Sequence, residues 1–200
     1  MKKNFKVITL ARKKKPIIWA YNISGEIIER VTVMKDLGIL LDTGMTFREH
    51  YSNIISKANK NLGFIFRVAN EFRDPYCLRA LYFSLVRSIL EASAVVWSPY
   101  TGFWSSRIES VQRKFVRYAL RFLPWQNPVE LPPYENRCRL LDMDTLAKRR
   151  NILRAVFVAK ILNGTIDSSY LLGSININVP PRKFRTREFL RLDFQRTVYL

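Results

Sequence analysis

The apolar positions of this chain change period near residue 43. Before it they cluster in short β-branched runs separated by turn residues: residues 5–10 (with KVITL), 17–21 and 27–31, the last two flanking the turn-like Asn22-Ile23-Ser24-Gly25. Residues 33–42 (VMKDLGILLD) read as one further strand. After residue 46 the period becomes helical. Tyr51, Ile54, Ile55, Ala58, Leu62, Ile65 and Ala69 recur at three- and four-residue steps and so share one helix face. Thr46 and Glu49 have the spacing of a capping box in front of it. Asp74-Pro75 starts a second helix, an N-cap followed by proline at the first helical position. Leu78, Leu81, Tyr82, Leu85, Ile89 and Leu90 are its core stripe, and Pro99 and Gly102 end the pattern.

A third helix is expected from a Ser106/Glu109 capping box to about Phe122, with Ile108, Val111, Phe115, Tyr118 and Phe122 as its apolar stripe. Residues 123–136 hold four prolines and read as a rigid, irregular connector. Asp144 is placed to cap a last helix whose apolar face is Leu146, Leu153, Val156, Phe157 and Ile161, stopped at Asn163-Gly164. The expected fold is therefore α+β, mainly α. A small antiparallel strand region (1–42) precedes a helical bundle (43–163), and a basic, largely irregular tail (164–200) follows.

Composition adds a partner to this picture. Two hundred residues with 48% hydrophobic and 13% aromatic content can bury a core, which excludes a disordered basic tail. Yet Lys+Arg number 34 against 16 acids, a formal charge of +18. Self-repulsion on that scale opposes compactness unless a polyanion neutralises it. Nucleic acid is the first candidate and an anionic membrane surface the second. No apolar run approaches the ~20 residues of a spanning helix. Charged residues interrupt the start of the chain, so no secretory signal is expected. Cys77 and Cys138 lack paired spacing, which fits a reducing, intracellular setting, nucleus or cytoplasm.

Candidate chemistry is sparse. Two-metal phosphoryl transfer needs paired carboxylates holding cations ~4 Å apart, and the nearest pair, Asp142 and Asp144, is better read as N-terminal charge for the following helix. Asp36 and Asp42 read as a surface charge and a turn residue. His50 is the only histidine, with no ligand set around it in the sequence, and the seven glycines have no phosphate-loop spacing. No catalytic, metal or cofactor residue is assigned. The cationic signal is stronger. Arg113, Arg117 and Arg121 follow one another at i+4, with Lys114 beside them and Arg107 near the helix start. Such a row rises ~6 Å per step, near the phosphate spacing of one strand. Lys57, Lys60 and Arg67, and Arg149, Arg150 and Arg154, extend it if they face the same way. A solvated charged face is the competing reading. Trp97, Trp104 and Trp125 are either base-stacking surfaces or packing anchors.

Four segments in order carry a resemblance: VMKDLGILLD (33–42), SLVRSILEASAVVWSPY (84–100), RIESVQRKFVRYAL (107–120) and LPPYENRCRLLDMDTLAKRR (131–150). They resemble the C-terminal part of reverse transcriptases encoded by insect non-LTR, jockey-like retrotransposons. The resemblance implies that residues 6–12 (KVITLAR) correspond to the palm strand after the catalytic Tyr-x-Asp-Asp turn. It implies that Lys35, Asp36, Leu37 and Gly38 correspond to the hairpin that grips the primer end. The helices from Thr46 then form the thumb along the template–primer duplex. The family's catalytic carboxylates, and the Mg2+ of a complete polymerase, would lie outside this chain. The functional expectation is a template–primer-binding fragment of an RNA-directed DNA polymerase, acting through nucleic-acid backbone contacts or by docking on a separate palm. The alternatives are a basic helical module for an acidic protein or membrane partner, and a relic reading frame.

Overall fold

The computed structural model describes residues 5–11, 16–123 and 132–175. The chain divides into two compact units, residues 1–151 and 152–200, where the sequence pattern drew lines after 42 and after 163.

Among the described residues of the first unit six short strands form three two-stranded sheets. β1 (Lys6–Val7) pairs with β4 (Glu29–Arg30), β2 (Asn22–Ile23) with β3 (Glu26–Ile27), and β5 (Val33–Asp36) with β6 (Ile39–Asp42). Two pairs are antiparallel, but β1 and β4 run parallel, which corrects the expectation of a wholly antiparallel region. Residues 33–42 are a hairpin and not a single strand. Leu37 (φ 44°) and Gly38 (φ 89°) form its two-residue turn, and Ser24 (φ 52°) and Gly25 (φ 82°) form that of β2–β3. Positive φ at both central residues matches the right-handed twist of the strands they join.

Among the described residues eight α-helices follow: α1 (Arg48–Phe72), α2 (Pro75–Tyr82), α3 (Ser88–Glu91), α4 (Ala94–Trp97), α5 (Gly102–Ala119), α6 (Tyr134–Leu140), α7 (Leu146–Leu162) and α8 (Ser169–Gly173). A π-helical turn, Phe83–Arg87, joins α2 to α3, and a 3-10 turn, Leu120–Phe122, ends α5. Asn61 of α1 donates to the Leu85 carbonyl within the π turn, at 2.7 Å. The architecture is α+β and mainly α.

Every residue of the α1 stripe is buried, from Tyr51 to Ala69. Asp74 caps α2, accepting from Tyr76 and Cys77 N–H at 3.1 and 3.0 Å, with Pro75 at the first position. Other caps differ from expectation. The Thr46/Glu49 box does not form; Asp42 instead accepts from the N–H groups of Gly44, Thr46 and Phe47 and from the Thr46 hydroxyl. The third helix starts at Gly102, four residues before the supposed Ser106 cap. Thr145, not Asp144, sits at the start of α7, its hydroxyl accepting from Lys148 N–H at 3.2 Å, while Asp144 pairs with the Lys148 ammonium at 2.6 Å.

Residues 134–136, read as connector, open α6, and α8 lies within the region read as irregular tail. Of the α7 face, Leu146 and Ile161 are buried, Leu153 and Phe157 are half-buried and Val156 is exposed. The basic residues of 176–200, and Trp125, lie outside the described residues.

Candidate nucleic-acid interface

α5 packs beside α1, and three contacts set their direction. Trp104 lies 5.2 Å from the Tyr51 ring, Lys114 Nζ donates to Asn59 Oδ1 at 3.2 Å, and Tyr118 lies 4.2 Å from the Phe66 ring. The residue numbers rise together, so the two helices run parallel. The buried side of α5 is Ile108, Glu109, Val111, Gln112, Phe115, Val116 and Ala119, continued by Leu120. Tyr118 and Phe122, assigned to this stripe from the sequence, are only half-buried.

Two of the buried residues are polar, and each closes a tertiary connection. Glu109 accepts from Leu146 and Ala147 N–H, both at 3.0 Å, and from Tyr134 Oη–H at 2.5 Å. It therefore caps α7 from another helix and ties α6 to both. Gln112 donates to the Asp144 carbonyl at 2.9 Å and accepts from Tyr82 Oη–H at 3.1 Å. Burial, and Glu109 nearby, push the Tyr82 phenol well above its ordinary pKa.

Opposite this side, Arg107, Arg113, Lys114, Arg117 and Arg121 are all exposed. Helical geometry resolves them into two sets. At about 100° per residue, positions 103, 107, 110, 114, 117 and 121 stay within about 40° of one line, whereas an i+4 row slants around the axis. Arg113 is the residue that slants away: its guanidinium lies over Tyr134 of α6, 5.1 Å from the ring centre. Arg121 leans to the other flank, 5.8 Å from the Tyr118 ring. The straight stripe of α5 is thus Phe103, Arg107, Ser110, Lys114, Arg117 and Arg121.

Beside it α1 exposes Ser52, Ser56, Lys60, Gly63 and Arg67, a stripe of the same period with small residues at three of five places. A shallow groove of about 500 Å³ lies between, lined by Ser52, Ile55, Ser56, Asn59, Lys60 and Arg107. A second cavity, of about 610 Å³, lies on the other side of Ser52. It is lined by Lys35 of β5, Leu40 of β6, and Arg48, Glu49, Ser52, Asn53 and Lys57 of α1. The two cavities connect the hairpin to α1 and α1 to α5, so Lys35, Lys57, Lys60, Arg107 and Lys114 come onto one continuous surface. At the hairpin tip Leu37 is 93% exposed, and open space surrounds Gly38. The glycine is required there by its φ of 89° and not by any crowding.

Among the described residues, none of Lys57, Lys60, Arg107, Arg113, Lys114, Arg117 and Arg121 forms an ion pair. Several acids are spent elsewhere: Asp42 and Asp74 on backbone N–H groups, Glu109 on α7, Asp142 on Arg79 (3.0 Å) and Asp144 on Lys148. Two cations expected to extend the surface are also spent. Arg149 Nη2 lies 2.9 Å from Glu91 Oε2 in a two-pronged contact, and Arg150 is buried, with Nη2 3.1 Å from Ser105 Oγ. The tryptophans divide in the same way. Trp97 is a buried anchor whose Nε1–H donates to the Ala92 carbonyl at 2.7 Å, and Trp104 is half-buried.

His50 is buried in the first turn of α1. Its Nδ1 accepts from Leu40 N–H at 3.3 Å and its ring meets Trp97 edge-on at 5.2 Å. Burial, then Lys57, hold its pKa below the ordinary histidine value. Among the described residues no three His, Cys, Asp or Glu side chains gather as metal ligands, and no helix is long and apolar enough to cross a membrane.

Residues missed from the sequence are the small and polar ones of α1 (Ser52, Ser56, Asn59) together with Arg48 and Phe103. Their only sequence signal is that they fall between the apolar positions. Compared with models of protein families, with curated proteins and with solved structures, the chain matches none.

Proposed function

We propose that this chain binds a nucleic-acid duplex through its phosphate backbone. In this reading it is the thumb-like, template–primer-holding part of a reverse transcriptase of the insect non-LTR type, working inside the cell. The observation that carries the binding is the surface of exposed cations, free of ion pairs, along α5 and α1 beside the hairpin. Rigid helices carry it, with serines and a glycine between the cations, so a backbone can approach closely. Contacts of this kind read charge and shape and carry little sequence information. The order of the four resembling segments supports the polymerase origin. No catalytic step is assigned to this chain.

The test is fluorescence polarisation of a labelled RNA–DNA duplex at rising salt. Four or five phosphate contacts give a log–log slope of about −4. A flat response would refute the electrostatic account. Charge reversal of Lys114, Arg117 and Arg121 to Glu is expected to abolish binding. Retention by that variant would favour the alternative of a basic module for an acidic protein or membrane partner.

A second reading concerns the strand region. Ile17 is 76% and Trp19 67% exposed, and Ile18 and Tyr21 of the same segment before β2, with Ile27 of β3, are exposed with them, beside described sheets of two strands each. Two-stranded sheets are marginal alone, and an apolar face of this kind suits docking on the rest of a polymerase palm. Mixing the chain with a catalytic-half fragment should then raise primer extension above that of the half alone.

A further inference from the structure

Phe103 is the one aromatic residue on the cationic stripe of α5, at its N-terminal end. Its side chain is 63% exposed. An isolated exposed phenylalanine needs no explanation, but this ring is held from two directions. It stands edge-on to Trp104, 5.2 Å between centres at 77°, and Trp104 rests on Tyr51 of the core. The Arg107 guanidinium lies 5.6 Å from the Phe103 centre and 5.5 Å from the Trp104 centre, so it bridges both rings. Arg107 and Lys60 line the groove that begins beside it. Tyr100, two residues before the helix, is 65% exposed as well.

An exposed ring fixed beside cations that make no ion pair has the make-up of a base-stacking platform. The cations hold the sugar–phosphate chain, and the ring offers its face to a base that has no neighbour to stack on. A base inside a duplex is already stacked and gains nothing there. Resting on the backbone-binding reading above, we propose that Phe103 stacks an unpaired nucleobase. The surface along α5 is then built for a duplex ending in a single-stranded extension, with paired phosphates along Lys114, Arg117 and Arg121 and the first unpaired base at Phe103. From position 103 to 121 the stripe spans about 27 Å, long enough to engage both parts at once.

The experiment compares two probes on the full chain: an RNA–DNA duplex with a single-stranded extension carrying 2-aminopurine at the first unpaired position, and its blunt counterpart. The expected result is tighter binding of the extended duplex, with quenching of the 2-aminopurine. Phe103→Ala should lower affinity for the extended duplex roughly 5- to 150-fold, the range of one base–aromatic stack. The extended-to-blunt affinity ratio should fall by that factor while the salt slope stays the same, since no phosphate contact is lost. Phe103→Tyr, which keeps the ring, should retain both preference and quenching. Arg117→Ala should weaken both probes alike. An extended-to-blunt ratio unaltered by Phe103→Ala overturns the inference while leaving salt-dependent blunt binding, and so the backbone reading, intact. Loss of salt-dependent binding to both probes in the unmodified chain overturns both.

Discussion

Single residues here do work that their sequence neighbourhood does not announce. Asp42 reads as a turn residue, and it is one, but it also holds the entry to α1. Burial opposes its charge, yet the N–H groups of Thr46, Phe47 and Gly44 and the Thr46 hydroxyl outweigh that and keep its pKa below the ordinary carboxylate value. His50 is shifted the other way in effect, held neutral by burial and by Lys57. The unfolded histidine takes its proton first, near pH 6.5. The stability it contributes is therefore full above about pH 6.5 and is lost as the pH falls through that value toward the lower folded pKa. Asp42 acts in a more acidic window, its contribution being present above about pH 3.9 and lost as the pH falls through its lowered folded pKa. Urea midpoints measured from pH 7 down to pH 5 should fall, and His50→Gln, which keeps an acceptor for Leu40 N–H, should flatten that fall. Gly38→Ala meets open space but a φ of 89°. It should cost about 1–2 kcal/mol, read in the urea midpoint and in faster amide exchange at Ile39 and Leu40.

At the scale of elements, α5 organises the first unit. Its buried side joins α1, α2, α6 and the start of α7, and its open side carries the stripe. The Tyr82 and Phe115 rings stack at 4.2 Å and 13°, so Phe115→Ala removes both volume and a stacked partner. A loss of about 3–5 kcal/mol is expected by chemical denaturation. Glu109 is the more informative substitution. Glu109→Gln keeps the shape but replaces a charge-assisted acceptor of two backbone N–H groups and one hydroxyl. A cost of about 1.5–3 kcal/mol follows, with protection lost first at the Leu146 and Ala147 amides. The element reading from the sequence was sound where periodicity is long, as on α1, and weak where it is short. α6 has seven residues between prolines and a turn, too few for an apolar period to show.

At the scale of the whole molecule, +18 is the governing quantity. Among the described residues Glu29, Asp42, Asp74, Glu91, Glu109, Asp142 and Asp144 are committed to caps, turns and ion pairs that leave the α5 and α1 cations unpaired. Heparin, or nucleic acid of any sequence, should raise the thermal midpoint because it binds the folded surface and relieves its repulsion. Differential scanning fluorimetry measures this. An unchanged midpoint at saturating polyanion would contradict a cationic binding surface.

The sequence by itself determined the α-rich class, the core face of α1, the Asp74-Pro75 start and the end of α7 at Asn163-Gly164. These depend on interactions a few residues apart, which periodicity and capping chemistry record. Tertiary structure decided that Glu109 caps α7 and that β1 meets β4 in parallel. It also decided which cations remain open. Arg113, Arg117 and Arg121 look equivalent in the sequence, and Arg149 and Arg150 look like more of the same. Only tertiary packing sends Arg113 of α5 to Tyr134 of α6, Arg149 of α7 to Glu91 of α3, and Arg150 of α7 into the interior beside Ser105 of α5. A charge is local, but whether it faces solvent or a partner depends on residues about twenty to sixty positions away.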